Sequence, residues 1–557
     1  MASTVGTTRL KLALAQLNPV VGDLSRNADL VIAAAQKAAE SGADLVLFPE
    51  LVISGYPPED LVLRSDFLNE TLVQLERVAE AVPELTLLVG HPQPVPEGVA
   101  NALSVIEDGK VVATYQKRLL PNYGVFDERR YFVAGERPLI VERGDLKIGL
   151  TVCEDIWPEG PVLASLADSG VDLIVNASAS PYQVGKPSDR EEMLRAHAQR
   201  LGTPIAYCNV VGGQDELVFD GGSVVIGADG SVLARAPQFV EHELLAEVPA
   251  MAPSDEAPPS PRLAPGEHEL YAAVVTGIRD YVEKNGFPGV IVGNSGGIDS
   301  AMVLALAADA LGPERVTAVT MPSPYNSPET LADAHEIVRR LGCHSHELPI
   351  ARLMEGFDAT LAPVFEGLAA DTTEENIQAR IRGTLVMAIS NKSGAVVLTT
   401  GNKSELAVGY ATLYGDMAGA FAPLKDVLKH HVFRLARWRN RHSPDGSKCT
   451  AEDPIPDSII ERPPSAELKP GQRDETTLGS YEDLDSVIEQ YVEQDLGIEA
   501  IVASGLDREY ALRIMRLIDR AEFKRRQAPP GVKVSRRAFG RERRMPITAR
   551  RSHTDLR

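Results

Sequence analysis

The sequence predicts an α/β protein built from two domains, and three observations carry that expectation. At 557 residues the chain exceeds what one hydrophobic core usually organises. Apolar strand-like runs alternate with amphipathic helical runs in both halves, the pattern of layered α/β architecture. Between the halves, Met251 to Glu267 is too rich in proline and small residues for a regular helix or a central strand. The expected boundaries are therefore a first domain over 1–250, a linker over 251–267 and a second domain over 268–557.

In order, an apolar strand (Leu10 to Leu17) leads to an amphipathic helix (about Ala28 to Ser41), then a strand (Leu45 to Phe48), a helix (about Phe67 to Ala81) and a strand (Leu85 to Gly90). Asp-Gly turns join Ala102–Glu107 to Lys110–Tyr115 and Gly222–Ile226 to Val232–Ala236, so two β-hairpins add an antiparallel component. After the linker, a helix (about His268 to Lys284) precedes a strand (Gly289 to Val292), a glycine loop and an Ala/Leu-rich helix from about Ser300. This order predicts a doubly wound, parallel, Rossmann-like sheet. Residues 440–475 show little periodicity and many polar residues, which reads as a lid or a mobile loop. The basic run Lys524 to Arg551 reads either as a solvated tail or as a packed segment that neutralises substrate phosphates or meets a neighbouring subunit.

A formal net charge of -22 opposes a general nucleic-acid or anionic-membrane role, because a like-charged surface is repelled. Small molecules are the expected partners. Cys153, Cys208, Cys343 and Cys449 are far apart and form no CxxC pair, which suits a reducing compartment and disfavours structural zinc. With no apolar h-region at the N-terminus and no long apolar run, the expectation is a cytoplasmic protein.

Two motifs carry chemistry. Cys153 follows the apolar run Leu150-Thr-Val152, and a thiol needs a base or a nearby cation to become a nucleophile. Glu50, after Leu45-Val-Leu-Phe-Pro49, and Lys117, after the strand ending at Tyr115, are candidates at strand ends. The second motif is Gly293-Asn-Ser-Gly-Gly-Ile-Asp-Ser300 between a strand and a helix. It lacks the Gly-Lys-[Ser/Thr] ending that reaches a γ-phosphate. What remains can hold a pyrophosphate on backbone N–H groups and a helix N-terminus, with Asp299 placed to bind Mg²⁺.

The first motif, in Phe48-Pro49-Glu50, Tyr115-Gln116-Lys117-Arg118 and Val152-Cys153-Glu154-Asp155, resembles the nitrilase or carbon-nitrogen hydrolase superfamily over about residues 9 to 250. That resemblance implies an α-β-β-α sandwich in which Glu50 is the general base, Cys153 the nucleophile and Lys117 the oxyanion stabiliser. The second motif resembles the SGGxDS loop of the N-type ATP pyrophosphatases. Asn294 stands where relatives usually carry an apolar residue. Within that superfamily, Glu375-Asn-Ile-Gln-Ala-Arg-Ile-Arg382, Leu398 to Glu405, Gly409 to Asp416 and Lys524 to Gly531 resemble the NAD synthetases, of the branch that carries an N-terminal amidase.

The resemblance implies ATP and L-glutamine as substrates and a reaction that adenylates deamido-NAD before ammonia attacks. It implies ATP contacts at Gly293, Asn294, Ser295, Gly296, Gly297, Ile298, Asp299, Ser300 and Thr400, and Mg²⁺ ligation by Asp299 and Glu405. Asn376, Glu405 and Lys524 are implied at the deamido-NAD site, with Asp416 and Lys429 as further candidates. Tyr123, Ser180 and Lys186 are implied to bind glutamine. A homo-oligomer is expected, a dimer through the synthetase domain or an octamer. Two other readings stay open on the residues alone: the same two domains activating a different acid, and a nucleotide sensor with a degenerate amidase.

Overall fold

A computed structural model describes residues 9–248, 261–465, 467–469 and 478–549. It divides into two compact units, Met1–Leu263 and Ala264–Arg557.

In the first unit two six-stranded sheets face each other. One has the order His242–Val248, Leu10–Gln16, Leu45–Leu47, Thr86–Val95, Gly98–Glu107, Lys110–Gln116. The other runs Val232–Arg235, Val224–Ile226, Ile205–Asn209, Leu173–Ser178, Leu146–Val152, Ile140–Arg143. Strand periodicity of two explains the layering. Leu10, Leu12 and Leu14 join Leu150, Val152, Val175 and Cys208 in the core between the sheets. Ala13 and Ala15, one residue out of phase, pack outward on the helices Leu24–Glu40 and Ser65–Ala81 through Ala28, Val31, Leu75 and Val78. Ile174, Ile205 and Ile226 similarly meet Leu163, Leu194 and Ala198 of the helices Pro161–Asp168 and Lys186–Leu201. The result is the expected α-β-β-α sandwich. Both Asp-Gly hairpins pair antiparallel.

The second unit has a four-stranded parallel sheet in the order His344–Glu347, Val316–Thr320, Val290–Gly293, Val396–Leu398. The chain winds outward from Val290–Gly293 on one side, then returns through the helices Ala351–Phe365 and Thr372–Ser393 to the other. The switch point lies beside the strand that feeds the glycine loop, where doubly wound sheets open a crevice at their strand ends. A helical layer over 478–525 packs on its own core of Leu484, Val487, Ile514 and Ile518. No helix among the described residues is long and apolar enough to cross a membrane.

Several expectations shift. The first helix begins at Leu24, where Asp23 caps Arg26 N, four residues before the periodicity predicts. The helix after the glycine loop begins at Ile298, because its amphipathic signal is erased by burial of nearly every side chain. Residues 251–260 of the linker lie outside the described residues, but Arg262 and Leu263 hydrogen-bond Ser188 and Gln238. The described part of 440–475 is held by a network of polar contacts. Asn440 and Ile455 exchange two hydrogen bonds, Arg439 forks onto Asp309, Ser447 adds a third contact to that carboxylate, and Asp457–Glu461 is helical. Polar contacts hold this segment, so it shows no hydrophobic period. The basic run is packed in part, with Arg525 and Arg543 buried while Arg526, Arg541, Arg544 and Ile547 are exposed. Arg525 bonds Glu522 and the Ala407 and Ile518 carbonyls, and Arg543 pairs with Asp519.

Candidate active sites

The first site forms where three strand ends meet. Glu50 follows the strand Leu45–Leu47, and Gly90 of the next strand lies so close that a Cβ there would stand 2.4 Å from Pro49 O. Lys117 follows the strand Lys110–Gln116, against which Gly135 presses, a Cβ there standing 2.3 Å from Gln116 O. These two glycines let neighbouring backbone clamp the residues that precede each charge. Cys153 closes the strand Leu146–Val152 in a left-handed conformation, φ +45°, which costs energy for a residue with a Cβ and persists only where neighbours enforce it. Asp155 supplies that enforcement. Its two oxygens accept from Val152 N, Tyr115 OH, Arg118 N and Leu119 N at 2.8–3.1 Å, tying the Cys153 turn to the strand end that carries Lys117.

Lys117, Glu50 and Cys153 are all buried. Lys117 Nζ lies 2.7 Å from Glu50 Oε1 and 2.8 Å from Glu128 Oε1. Glu50 also accepts from Asn101 Nδ2 at 2.8 Å and Ala179 N at 2.9 Å. Glu128 receives Tyr56 OH at 3.0 Å, while its Oε2 is buried without a partner. Burial lifts the Cys153 thiol well above its ordinary range, and Glu50 adds to the rise while Lys117 opposes it. Burial works against the Lys117 charge, but the Glu128 and Glu50 carboxylates overcome it and hold the ammonium protonated. Burial pushes the Glu128 carboxyl up to about 7, with Lys117 pulling down and Glu50 pushing further up.

Of the residues implied for glutamine, Tyr123 OH donates to both Glu154 oxygens at 2.9 Å, at a vestibule shared with Arg129 and Pro158. Lys186 Nζ lies over the Trp157 ring at 5.4 Å and the Phe126 ring at 6.0 Å. Ser180 is buried, and its amide donates to Asn209 Oδ1. Glu128 and Asn101 escaped the sequence reading. Glu128 sits in Asp127-Glu128-Arg129-Arg130, a charged run that looks solvated, and only distant Tyr56 and Lys117 reveal its burial.

The second site is a cavity of about 290 Å³ at the switch point, lined by Gly293, Asn294, Ser295, Gly297, Ile298, Asp299, Ser300 and Thr400 of the sequence-predicted set. Gly296 instead turns the loop, at φ +76°, and a Cβ there would stand 2.2 Å from Thr330 O. Ser295 and Ser300 close the loop on itself at 3.1 Å. Asn294 is buried, its Nδ2 donating to Ala334 O at 2.7 Å and Thr320 Oγ1 at 3.3 Å. It ties the loop to the neighbouring strand and helix, a role an apolar residue could not fill. Ile298, Asp299 and Ser300, the first turn of the helix Ile298–Leu311, line the cavity, and a helix N-terminus favours anionic oxygens.

Asp299 and Glu405 converge on one cation, Lys429. Its Nζ bonds Asp299 Oδ2 and lies 3.1 Å from Glu405 Oε1; Asn402 Nδ2 holds Asp299 Oδ1 at 3.0 Å. Burial disfavours the Lys429 charge, yet the two carboxylates hold it protonated. Asn376 and Lys524 do not line this cavity. They grip the loop Gly409–Asp416 that does: Asn376 Oδ1 accepts from Thr412 Oγ1 at 2.9 Å, and Lys524 Nζ donates to Gly409 O and Ala411 O at 2.8 Å. Asp416 lines the cavity, its carboxyl raised to about 6 by burial despite the Thr412 amide. Arg382, also in the lining, is brought down to about 10 by burial.

Family models agree with this division. Residues 11–252 match the carbon-nitrogen hydrolase family and 270–528 match NAD synthase. Over 97% of this chain and 99% of its own length, the glutamine-dependent NAD(+) synthetase of Thermotoga maritima is 45% identical. That of Xanthomonas campestris is 47% identical over 98% of this chain and 99% of its own. Among solved structures, glutamine-dependent NAD+ synthetase from Acinetobacter baumannii, in complex with ADP, superposes with a TM-score of 0.77 at 42% identity, covering 97% of this chain and 98% of that one. By full-length identity as well as by its two sites, the chain belongs to the family of glutamine-dependent NAD(+) synthetases.

Proposed function

We propose that this protein amidates deamido-NAD to NAD with ammonia taken from L-glutamine, consuming ATP to AMP and pyrophosphate. The observation that carries the reading is the presence in one chain of a buried Glu50–Lys117–Cys153 cluster and a pyrophosphate loop facing a cavity with Asp299 and Glu405. The first supplies nitrogen and the second activates a carboxylate, so the residues 1–250 are assigned the glutaminase and 268–557 the synthetase.

At the first site Glu50 takes the thiol proton of Cys153 as sulfur bonds to the glutamine carboxamide carbon. Two of the three Lys117 N–H groups are spent on Glu50 and Glu128, and the third stabilises the oxyanion. Glu50 returns its proton to the amide nitrogen, ammonia leaves, and water activated by Glu50 cleaves the thioester to glutamate. At the second site the loop holds the polyphosphate while the deamido-NAD carboxylate attacks the α-phosphorus and pyrophosphate departs; ammonia then displaces AMP from the acyl-adenylate. The carboxylates of Asp299 and Glu405 already share one cation, so their oxygens fit Mg²⁺, which when bound would offset charge on the departing pyrophosphate. Asn376 and Lys524 position the loop Gly409–Asp416 for the deamido-NAD. Tyr123, Ser180 and Lys186 are assigned to glutamine.

A homodimer is proposed through the second unit. The helix Ala351–Phe365 buries none of its residues, and Leu353, Phe357, Val364 and Leu368 are exposed, an apolar face suited to a second copy. Phe357→Glu is expected to halve the sedimenting mass; an unchanged mass would contradict the contact.

Cys153→Ala is expected to cut glutamine-dependent NAD synthesis by at least about 10³-fold while ammonium-dependent synthesis stays within about two-fold, because the nucleophile acts only in making ammonia. Equal loss with both nitrogen sources in a folded variant would overturn the two-site reading.

Glu128 carries a buried oxygen without a hydrogen-bond partner beside the Lys117 ammonium. Its folded value near 7 lies above the ordinary 4.5. The folded state therefore holds the extra proton between those values, and stability declines as pH rises through that window. Urea unfolding of the wild type and of Glu128→Gln at pH about 5 and about 8 is expected to show the wild type losing more stability on going to the higher pH. A constant difference between the two proteins would contradict this assignment.

A further inference from the structure

Outside both sites, the first turn of the helix Lys429–Arg439 carries His430 and His431. Glu489 faces them from the segment Glu489–Glu493, where the helix begun at Tyr481 widens into a π turn. Such turns are rare and gather at functional sites. One ligand atom from each of the three side chains lies within 4.8 Å of the other two, and these are the residues that meet that spacing among those described.

The donors are set up as a metal site requires. His430 Nδ1 lies 2.9 Å from Asp485 Oδ2, and Asp485 is itself fixed by His430 N and Ser404 Oγ. A carboxylate on Nδ1 orients the ring and leaves the Nε2 lone pair for a cation, as in metal-bound histidines generally. His431 Nδ1 is buried without a hydrogen-bond partner. Burial, with help from His430 and Arg434, brings His431 down to about 4, so its ring is neutral at neutral pH. Asp485 and Glu489 bring negative charge to His430, and Asp485 and Glu267 bring it to His431, against Arg434, while burial, then Glu493 and Asp485, raise Glu489 against His430 and Lys403.

We propose that His430, His431 and Glu489 bind one transition-metal ion of the Zn²⁺ class, at a site separate from the Asp299–Glu405 pair. Two imidazole nitrogens and one carboxylate oxygen suit Zn²⁺ or Co²⁺ and not Mg²⁺, which takes oxygen donors. The ion would pin the first turn of the helix that presents Lys429 to the helical layer over 478–525. Its binding is a property of these side chains and does not depend on which carboxylate the synthetase site activates.

The test is a Co²⁺ titration of the full-length chain after chelator treatment, in excess Mg²⁺, following visible absorption and then displacement by Zn²⁺. One equivalent per chain is expected, with no sulfur-to-metal charge-transfer band. His431→Ala and Glu489→Gln should each weaken binding at least about ten-fold, whereas Cys343→Ser with Cys449→Ser should leave it unchanged. Glu489→Gln preserves size at a half-buried position, so it decides the matter if His431→Ala fails to fold. No saturable binding in Mg²⁺, binding unaffected by Glu489→Gln, or binding lost with the cysteines would overturn the site.

Discussion

The buried ammonium of Lys117, held between Glu50 and Glu128, is the interaction on which the first unit's chemistry rests. Taking three charges out of water costs several kcal/mol for each ion, and hydrogen bonds from Asn101 and Ala179 N to Glu50 and from Tyr56 to Glu128 offset part of that cost. Two carboxylates against one ammonium leave an excess negative charge beside Cys153. Burial first, and then the Glu50 carboxylate against the opposing Lys117, keeps the Cys153 sulfur protonated at rest.

The same arrangement recurs twice in the second unit, and the ammonium protons decide what each does. Lys403 Nζ meets Asp426, Glu493, Ser535 and Arg537 O within 2.6–3.2 Å; more acceptors surround it than it has protons, so it is a structural tie. Lys429 bonds Asp299 and Glu405, lies over the Tyr481 ring at 5.2 Å and faces a cavity, while Lys117 bonds Glu50 and Glu128 beside Cys153.

Much of this was legible in the sequence because reactive groups sit at the ends of apolar strands. Glu50, Lys117 and Cys153 each follow one, and the glycine loop stands between a strand and a helix. Glu128 was not legible, since its burial comes from Tyr56 and Lys117, residues far off in the chain. The contacts of the segment after Arg439 leave no hydrophobic period in the sequence, because Asp309 and Asn440 hold it through polar groups. The basic run gave no sign of which acids it meets, for Asp519 and Glu522 lie before it, in the helices Arg508–Arg520 and Glu522–Arg525. Asn294 gained its meaning only with Ala334 O and Thr320 in view.

The proposed step at the second site is activation of a carboxylate by its transfer to the α-phosphorus of ATP. It is tested most directly by supplying deamido-NAD with ¹⁸O in its nicotinate carboxylate, together with ATP and glutamine, and weighing the nucleotide products by mass spectrometry. The account predicts one ¹⁸O in each AMP and none in pyrophosphate. Unlabelled AMP, or label in pyrophosphate or in ADP and phosphate, would contradict it.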